Sequence, residues 1–206
     1  EEGVFYNWYA ATGRTYNLSD MNDEGNSTQT PLQGICPNGW YIPSDEEWTE
    51  LEKVIHSDLE RYSTYDAIDI SNFGTPAWNP SWNTASQVFR GDPIDDSNVG
   101  HGGAMKNICP PNGGAFGYLI ASRGYSKEPY LGGFNGILVG KRAGDEHGTP
   151  TSTLTQRDRA WNTIYWSSSQ SSNLRAWFRG LEVREGGVDR SGWDKTFLVS
   201  VRCKKK

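Results

Sequence analysis

The stretch GICPNGWYIPSDEEW, residues 34–48, marks the start of a helix shortly after a cysteine. Ser44 is followed three residues later by Glu47, and this S-x-x-E pattern is typical of a capping box, in which the two side chains satisfy free backbone N–H groups. The acidic residues after Ser44 suit the positive end of the helix dipole. Apolar residues then recur every three or four positions, at Trp48, Leu51, Ile55, Leu59 and Tyr62. This spacing predicts a helix over residues 45–62 with one apolar face.

The segment FLVSVRC, residues 197–203, has the two-residue period of a strand. Its alternate positions carry Phe197, Val199, Val201 and Cys203. We expect this face to be buried and to receive the apolar side of the helix at Trp48 and Leu51.

Three further segments complete the predicted pattern. Residues 174–183, LRAWFRGLEV, predict a strand, and Gly186 and Gly187 supply a hairpin turn after it. Residues 3–11, GVFYNWYAA, predict a first strand. The serine run at 167–172 is interpreted as a loop between strands.

One helix among several short strands predicts a single α+β domain over residues 1–206. The chain has 24 Gly, 9 Trp and 10 Tyr but only 35% hydrophobic residues, with a mean hydropathy of −0.70. Many aromatics and few aliphatics predict short strands around an aromatic core, and Gly, Pro, Asn and Asp predict long loops over residues 66–160. No linker or internal repeat divides the chain.

The net charge excludes some partner classes. At −5, with a pI near 5.2, the chain has no basic field to neutralise phosphates, so nucleic acid is not an expected partner. No apolar run approaches the roughly 18 residues of a membrane span. The first residue is Glu, so we expect that any targeting segment has been removed.

The three cysteines predict one disulfide. Their spacing contains no C-x-x-C and excludes a zinc-finger site. Cys203 lies on the apolar face of its predicted strand, and Cys36 precedes the helix that packs near it. We infer a Cys36–Cys203 bond and a free Cys109, with three reduced, buried cysteines in a cytosolic protein as the alternative.

Several motifs together resemble the Fibrobacter succinogenes major paralogous domain family. They are YNWYA near the start, CPNGWYIPSDEEW at the helix, the WSS turn and the closing SVRC. The resemblance implies a variant of the C-type lectin fold, related to that of formylglycine-generating enzymes, in bacterial surface or secreted proteins that are often lipoproteins. It also implies adjoining chain ends and a loop region that presents the binding surface. Residues 66–160 depart from the family pattern, so no ligand specificity is carried over.

Neither catalysis nor a metal is predicted. Formylglycine-generating enzymes use a cysteine pair, whereas here Cys203 is assigned to a disulfide and Cys109 stands alone. The calcium-loop pattern that begins at Asp20 fails because its twelfth position is Pro31. The DPIDDSN segment, residues 92–98, offers carboxylate oxygens but is interpreted as a solvated turn. We therefore expect no cofactor, no metal and no enzymatic activity.

Loop tryptophans are the remaining candidates for a binding site. Trp78 and Trp82 lie in PAWNPSWN, where Pro and Asn predict a loop. Indole faces in loops can stack on sugars or dock a protein, although they can also fold back as braces. Weaker candidates in similar contexts are Trp161 and Trp193, and the nearby polar residues are Asp95, Asp96 and Asn98.

These observations predict a non-catalytic, secreted or cell-surface binding or adhesion module, with a glycan or a surface protein as its partner. A lipid anchor upstream of the domain is a further expectation. The alternatives are a structural subunit of a bacterial surface assembly and an enzyme derived from the formylglycine-generating fold.

Overall fold

A computed structural model describes residues 4–14, 32–74, 77–91, 99–107, 125–141 and 159–206 of the chain. The helices in these residues are α1 (Trp8–Thr12), α2 (Asp45–Ser57), α3 (Leu59–Tyr62) and α4 (Ala67–Phe73). The strands are β1 (Trp40–Tyr41), β2 (Gln87–Arg90), β3 (Asn162–Gln170), β4 (Arg175–Glu182), β5 (Val188–Asp194) and β6 (Lys204–Lys205). Short 3₁₀ turns cover Pro80–Asn83, Gly103–Met105 and Pro129–Leu131.

The strands form two antiparallel sheets. The larger has the order β2-β5-β4-β3, and the smaller pairs β1 with β6. Strands β4 and β5 form the predicted hairpin around Gly186 and Gly187. Short helices combined with antiparallel sheets confirm the α+β class. Among the described residues, no helix is long and apolar enough to cross a membrane.

The predicted capping box is present at the start of α2. The Ser44 hydroxyl accepts from the Glu47 backbone N–H, and the Glu47 carboxylate accepts from the Ser44 N–H. The helix predicted over residues 45–62 is divided at Asp58, whose φ of −149° is not helical. The Asp58 carboxylate accepts from the Arg61 N–H, so this side chain ends one helix and caps the next.

The prediction of a strand over residues 3–11 is wrong for most of the segment. Tyr6 alone pairs as a bridge, with Val199. Helix α1 begins directly afterwards because the Asn7 side chain accepts from the Ala10 N–H, and it ends at Gly13 with φ of 73°. Asn and Gly are preferred at these two positions.

Four of the six residues of the serine run, 167–170, are strand, contrary to the predicted loop. Ser167–Ser169 belong to β3, where the register shifts before Gln170. The Ser169 hydroxyl accepts from the Asp45 N–H, and the Ser168 N–H donates to the Pro43 carbonyl. One serine hydroxyl and one backbone N–H of β3 therefore attach the start of α2 to the sheet.

The C-terminal segment packs as its alternation predicts, without forming a regular strand. Phe197, Val199, Val201 and Cys203 all contact one core cluster. Their backbone is held by isolated bridges, Val199 to Tyr6 and Ser200 to Tyr165.

The core has two clusters, and this division corrects the predicted packing of α2. Trp48 stacks on Tyr165 of β3 at 5.8 Å and meets Phe134 edge-on at 5.7 Å. The second cluster holds Trp8, Trp166, Phe178 and the C-terminal segment. Helix α2 therefore packs on β3 and not on the 197–201 face, because the extended C-terminal segment lies against α1 instead.

The predicted Cys36–Cys203 disulfide is present, whereas Cys109 lies outside the described residues. The bond spans 167 residues. It joins Cys36, a member of the second cluster, to Cys203, which packs against that cluster. A loop of this length strongly restricts the unfolded chain.

Replacing both Cys36 and Cys203 by alanine should lower the free energy of unfolding by about 2–5 kcal/mol. Chemical denaturation of the variant, beside the oxidised and reduced parent, measures this loss. Mass analysis of a non-reduced digest provides the check on connectivity, and a Cys109 peptide linked to either partner would refute the assignment.

Candidate functional site

A buried cluster of charges lies between α2 and the larger sheet. Helix α2 contributes two carboxylates, and strands β2, β4 and β5 each contribute one arginine. The members are Asp45, Glu52, Arg90, Arg179, Arg190 and, from the turn before Met105, His101. Each of the three arginines contacts at least one of the two carboxylates, since an unpaired buried charge would cost several kcal/mol.

Glu52 is the centre of one half of this charge cluster. One carboxylate oxygen accepts from Arg90 Nε at 2.8 Å and lies 3.0 Å from His101 Nε2. The other oxygen accepts from the guanidinium groups of Arg179 and Arg90. The side chains of Glu52, Arg90, Arg179 and His101 are all fully buried.

Asp45 organises the other half. Its carboxylate accepts from Arg179 Nη1 at 2.7 Å and from Arg190 Nε at 3.0 Å. The Arg190 guanidinium lies 3.7 Å from the centre of the Trp177 ring and donates to the carbonyl of Ala85. Arg179 contacts both acidic residues and so connects the two halves.

The electrostatics hold both carboxylates in their ionised form. Burial alone would raise the pKa of Glu52, but Arg179 and Arg90 hold it well below its usual range. The pKa of Asp45 is likewise lowered against burial, by Arg179 and Arg190. A general acid or base works best with a pKa near the working pH. The arrangement therefore favours a structural role for these carboxylates.

Trp78 and Trp82 form a pair that covers this cluster. Their ring centres lie 5.0 Å apart with the planes nearly perpendicular. His56 meets the edges of both rings, at 5.5 and 5.9 Å, and Arg90 lies 5.6 Å from the centre of Trp78. The Trp78 indole N–H donates to Asn83 Oδ1 at 2.9 Å. The pair is thus held in a fixed orientation.

Both tryptophans are half-buried, so each keeps some solvent-accessible surface. The Trp82 carbonyl also accepts from Arg90 Nη1, which ties the 3₁₀ turn Pro80–Asn83 to the buried charges. The contacts with His56 and Arg90 are those of a brace, and the exposed part leaves area for a ligand. We call the accessible surface of Trp78 and Trp82 the tryptophan surface.

The other predicted ligand-binding residues do not join this surface within the described chain. Trp161 donates to Glu182 Oε1 at 2.9 Å and packs on the first core cluster. Trp193 stacks on Phe197 at 4.6 Å in the second cluster. The remaining three predicted residues, Asp95, Asp96 and Asn98, lie outside the described residues.

The sequence did contain a signal for the charge cluster. Glu52 lies four residues after Trp48 and four before His56, in the buried row of α2. A carboxylate in such a row indicates a buried cationic partner. The sequence does not identify this partner as Arg179, because the position of Arg179 relative to α2 is known only once the strands are paired. No residue of the cluster was predicted.

Metal ligands do not cluster in the described ranges. Within residues 4–14, 32–74, 77–91, 99–107, 125–141 and 159–206, no three His, Cys, Asp or Glu side chains are grouped to hold an ion. Residues 92–98, whose carboxylates were weighed for calcium, fall outside these ranges.

Two histidine nitrogens in the site have no hydrogen-bond partner among the described residues, His56 Nε2 and His101 Nδ1. Burial, with a smaller contribution from His101, lowers the pKa of His56 to about 4. Neutral His56 therefore contributes stability that is complete above pH 6.5 and is lost as the pH falls towards 4. Burial raises the pKa of Asp189 to about 6. The stability that Asp189 contributes therefore has the opposite pH dependence: it is complete below pH 3.8 and is lost as the pH rises to 6.

We expect the parent to lose more stability between pH 7 and 4.5 than a His56→Phe variant does, each relative to its own value at pH 7. Asp189 contributes equally to both proteins and cancels in this comparison. Thermal unfolding at a series of pH values measures the difference, and parallel curves would contradict the buried, neutral state of His56.

A family model described as the Fibrobacter succinogenes major domain matches residues 1–205. No curated protein and no solved structure gives a significant match to the chain.

Proposed function

Because the chain belongs to the Fibrobacter succinogenes major domain family, we propose that it is a non-catalytic binding or adhesion module of a secreted or cell-surface protein. Its ligand is a glycan that contacts the tryptophan surface. The fold proposed for it is the C-type lectin-like variant that the sequence resemblance implied. The adjoining chain ends, where the Tyr6 N–H donates to the Val199 carbonyl at 2.8 Å, support that fold.

The fixed orientation of Trp78 and Trp82 is the observation that carries the proposal. A sugar ring stacks its C–H groups on an indole while its hydroxyls hydrogen-bond to nearby polar groups. Rings already held by His56, Arg90 and Asn83 lose little further entropy when a ligand binds. Asn83 contacts Trp78 through its Oδ1, and Asn79 caps the 3₁₀ turn that carries Trp82. The amide NH₂ groups of these two side chains are donors near the turn.

The enzymatic alternative has less support. Formylglycine-generating enzymes use a cysteine pair, but Cys203 of this chain is bonded to Cys36 and is not a free thiol. Asp45 and Glu52 are engaged by arginines. A glycan-binding surface requires neither a thiol nor a free carboxylate.

Screening the protein on a glycan array tests the proposal. We expect the parent to bind a subset of glycans and Trp82→Ala to lose that binding by tenfold or more while its melting temperature stays near that of the parent. Trp82 suits this test because its backbone contact with Arg90 survives the substitution. Trp40→Ala is the matched control, since Trp40 is 39% exposed and lies on β1 outside the tryptophan surface.

Two results would overturn the glycan proposal. One is a parent protein that binds no glycan, in which case a protein partner or a structural role in a surface assembly replaces it. The other is unfolding of both Trp78→Ala and Trp82→Ala, which would show that the indoles act as braces alone.

A further inference from the structure

A pocket of about 390 Å³ lies between α2 and the C-terminal segment. It is separate from the tryptophan surface, since neither Trp78 nor Trp82 lines it. Its volume falls in the range of small-molecule sites, which are apolar with a few convergent polar groups. The apolar wall is made by Trp48, Leu51, Val54 and Phe134.

Val54 shows that this apolar wall reaches solvent. It is 48% exposed on a helix whose opposite side packs in the core. Phe134 and Trp48 meet edge-on at 5.7 Å and form the inner part of the wall. An apolar molecule entering past Val54 would therefore meet aromatic rings.

Of the four charged residues that line the pocket, three form an ion pair with another side chain. Lys204 pairs with Glu47 at 2.8 Å, and Glu50 pairs with Lys53 at 2.7 Å. These contacts neutralise the two carboxylates and one of the two cations that line the pocket.

Arg202 is the cation that remains. Its guanidinium lies 4.3 Å from the centre of the Phe134 ring, and its Nη2 donates to the Phe134 carbonyl at 2.7 Å. No carboxylate among the described residues pairs with it. A guanidinium has five N–H donors arranged to hold a carboxylate through two parallel hydrogen bonds. Most of these donors are unused here.

The indole of Trp48 adds no donor to the pocket, because Trp48 is only 1% exposed. Its buried indole N–H has no hydrogen-bond acceptor among the described residues. The pocket thus combines apolar walls with one guanidinium, that of Arg202, which has no carboxylate partner among the described residues.

We propose that this pocket binds a small amphiphilic carboxylate, with its apolar body against Leu51, Val54 and Phe134 and its carboxylate on Arg202. The proposal is independent of the glycan site, because it concerns a different face of the protein and a different ligand chemistry.

The test compares matched pairs of probes in calorimetric or NMR titrations. The probes are 3-phenylpropionate, indole-3-acetate and decanoate, each beside its neutral carboxamide. We expect at least one carboxylate to bind, and to bind about tenfold or more tightly than its amide, because a charged hydrogen-bonded pair is worth more than a neutral one. In Arg202→Met this preference should disappear.

A second variant distinguishes the pocket from nonspecific binding. Val54→Asp places a negative charge on the wall at an exposed helix position, so the fold should persist while carboxylate binding weakens at least tenfold. Ile68→Asp is the control, since Ile68 is also exposed, at 69%, but lies on α4. The proposal is wrong if no carboxylate binds, if carboxylates and amides bind alike, or if Val54→Asp binds as the parent does.

Discussion

Glu52→Gln should lower the free energy of unfolding by about 3–5 kcal/mol, the cost typical of removing one partner from a buried ion pair. The substitution keeps the size of the side chain but removes its charge. Among the described residues, Arg179 would then keep Asp45 as its carboxylate partner and Arg90 would keep none. The amide also donates where the carboxylate accepted, so at least one guanidinium N–H loses its acceptor.

Urea denaturation of the parent and the variant at pH 7 measures this loss. Glu50→Gln is the matched control, because Glu50 lies on the same helix with its side chain 61% exposed and pairs only with Lys53. Its expected change is within about 0.5 kcal/mol. A Glu52→Gln loss below about 1 kcal/mol would show that the buried cluster is not closed as described.

Trp48→Ala should cost about 3–5 kcal/mol, as other deletions of large buried aromatic side chains do. Trp48 is buried between Tyr165 and Phe134, and its removal leaves a cavity that the sheet side cannot fill by small shifts. Because the indole N–H has no acceptor among the described residues, the loss comes from packing and not from a broken hydrogen bond.

The same denaturation experiment, with Trp40→Ala as control, measures this loss. The control should change stability by about 1 kcal/mol or less, since Trp40 is largely outside the core. Equal losses for both variants would contradict the position of α2 on β3.

Local signals in the sequence were sufficient to predict helix α2 and the buried alternate positions of the C-terminal segment. The capping box involves residues three apart, and the period of the apolar face extends over four turns. The disulfide followed from these two elements together, because each placed one cysteine near the core. The hairpin at Gly186 and Gly187 was equally local.

The incorrect predictions concern α1 and the serine run. Helix α1 has five residues, too few for a period to appear, and its aromatic residues favour a strand by propensity. The serines of β3 have weak strand propensity, but Ser168 and Ser169 bond to Pro43 and Asp45 more than 120 residues away. Whereas α1 is set by local caps at Asn7 and Gly13 that five residues made hard to recognise, tertiary contacts decided the serine segment.

The candidate site was only partly predictable for the same reason. Glu52 and Arg179 are separated by 127 residues, and Asp45 and Arg190 by 145. No local pattern links them, since the pairing exists only after α2 lies on the sheet. The loop position of Trp78 and Trp82 was visible from Pro and Asn, but their contact with His56 was not.

The most direct measurement for the proposed function is an NMR titration of the indole N–H resonances. Each of the nine tryptophans gives one signal, assigned with single Trp→Phe variants, and the titrant is the strongest ligand from the glycan array. The proposal predicts shifts for Trp78 and Trp82. It predicts none for Trp8 and Trp166, whose buried indoles donate to the carbonyls of Ser167 and Tyr6. Glycan binding that leaves the Trp78 and Trp82 signals unmoved would contradict it.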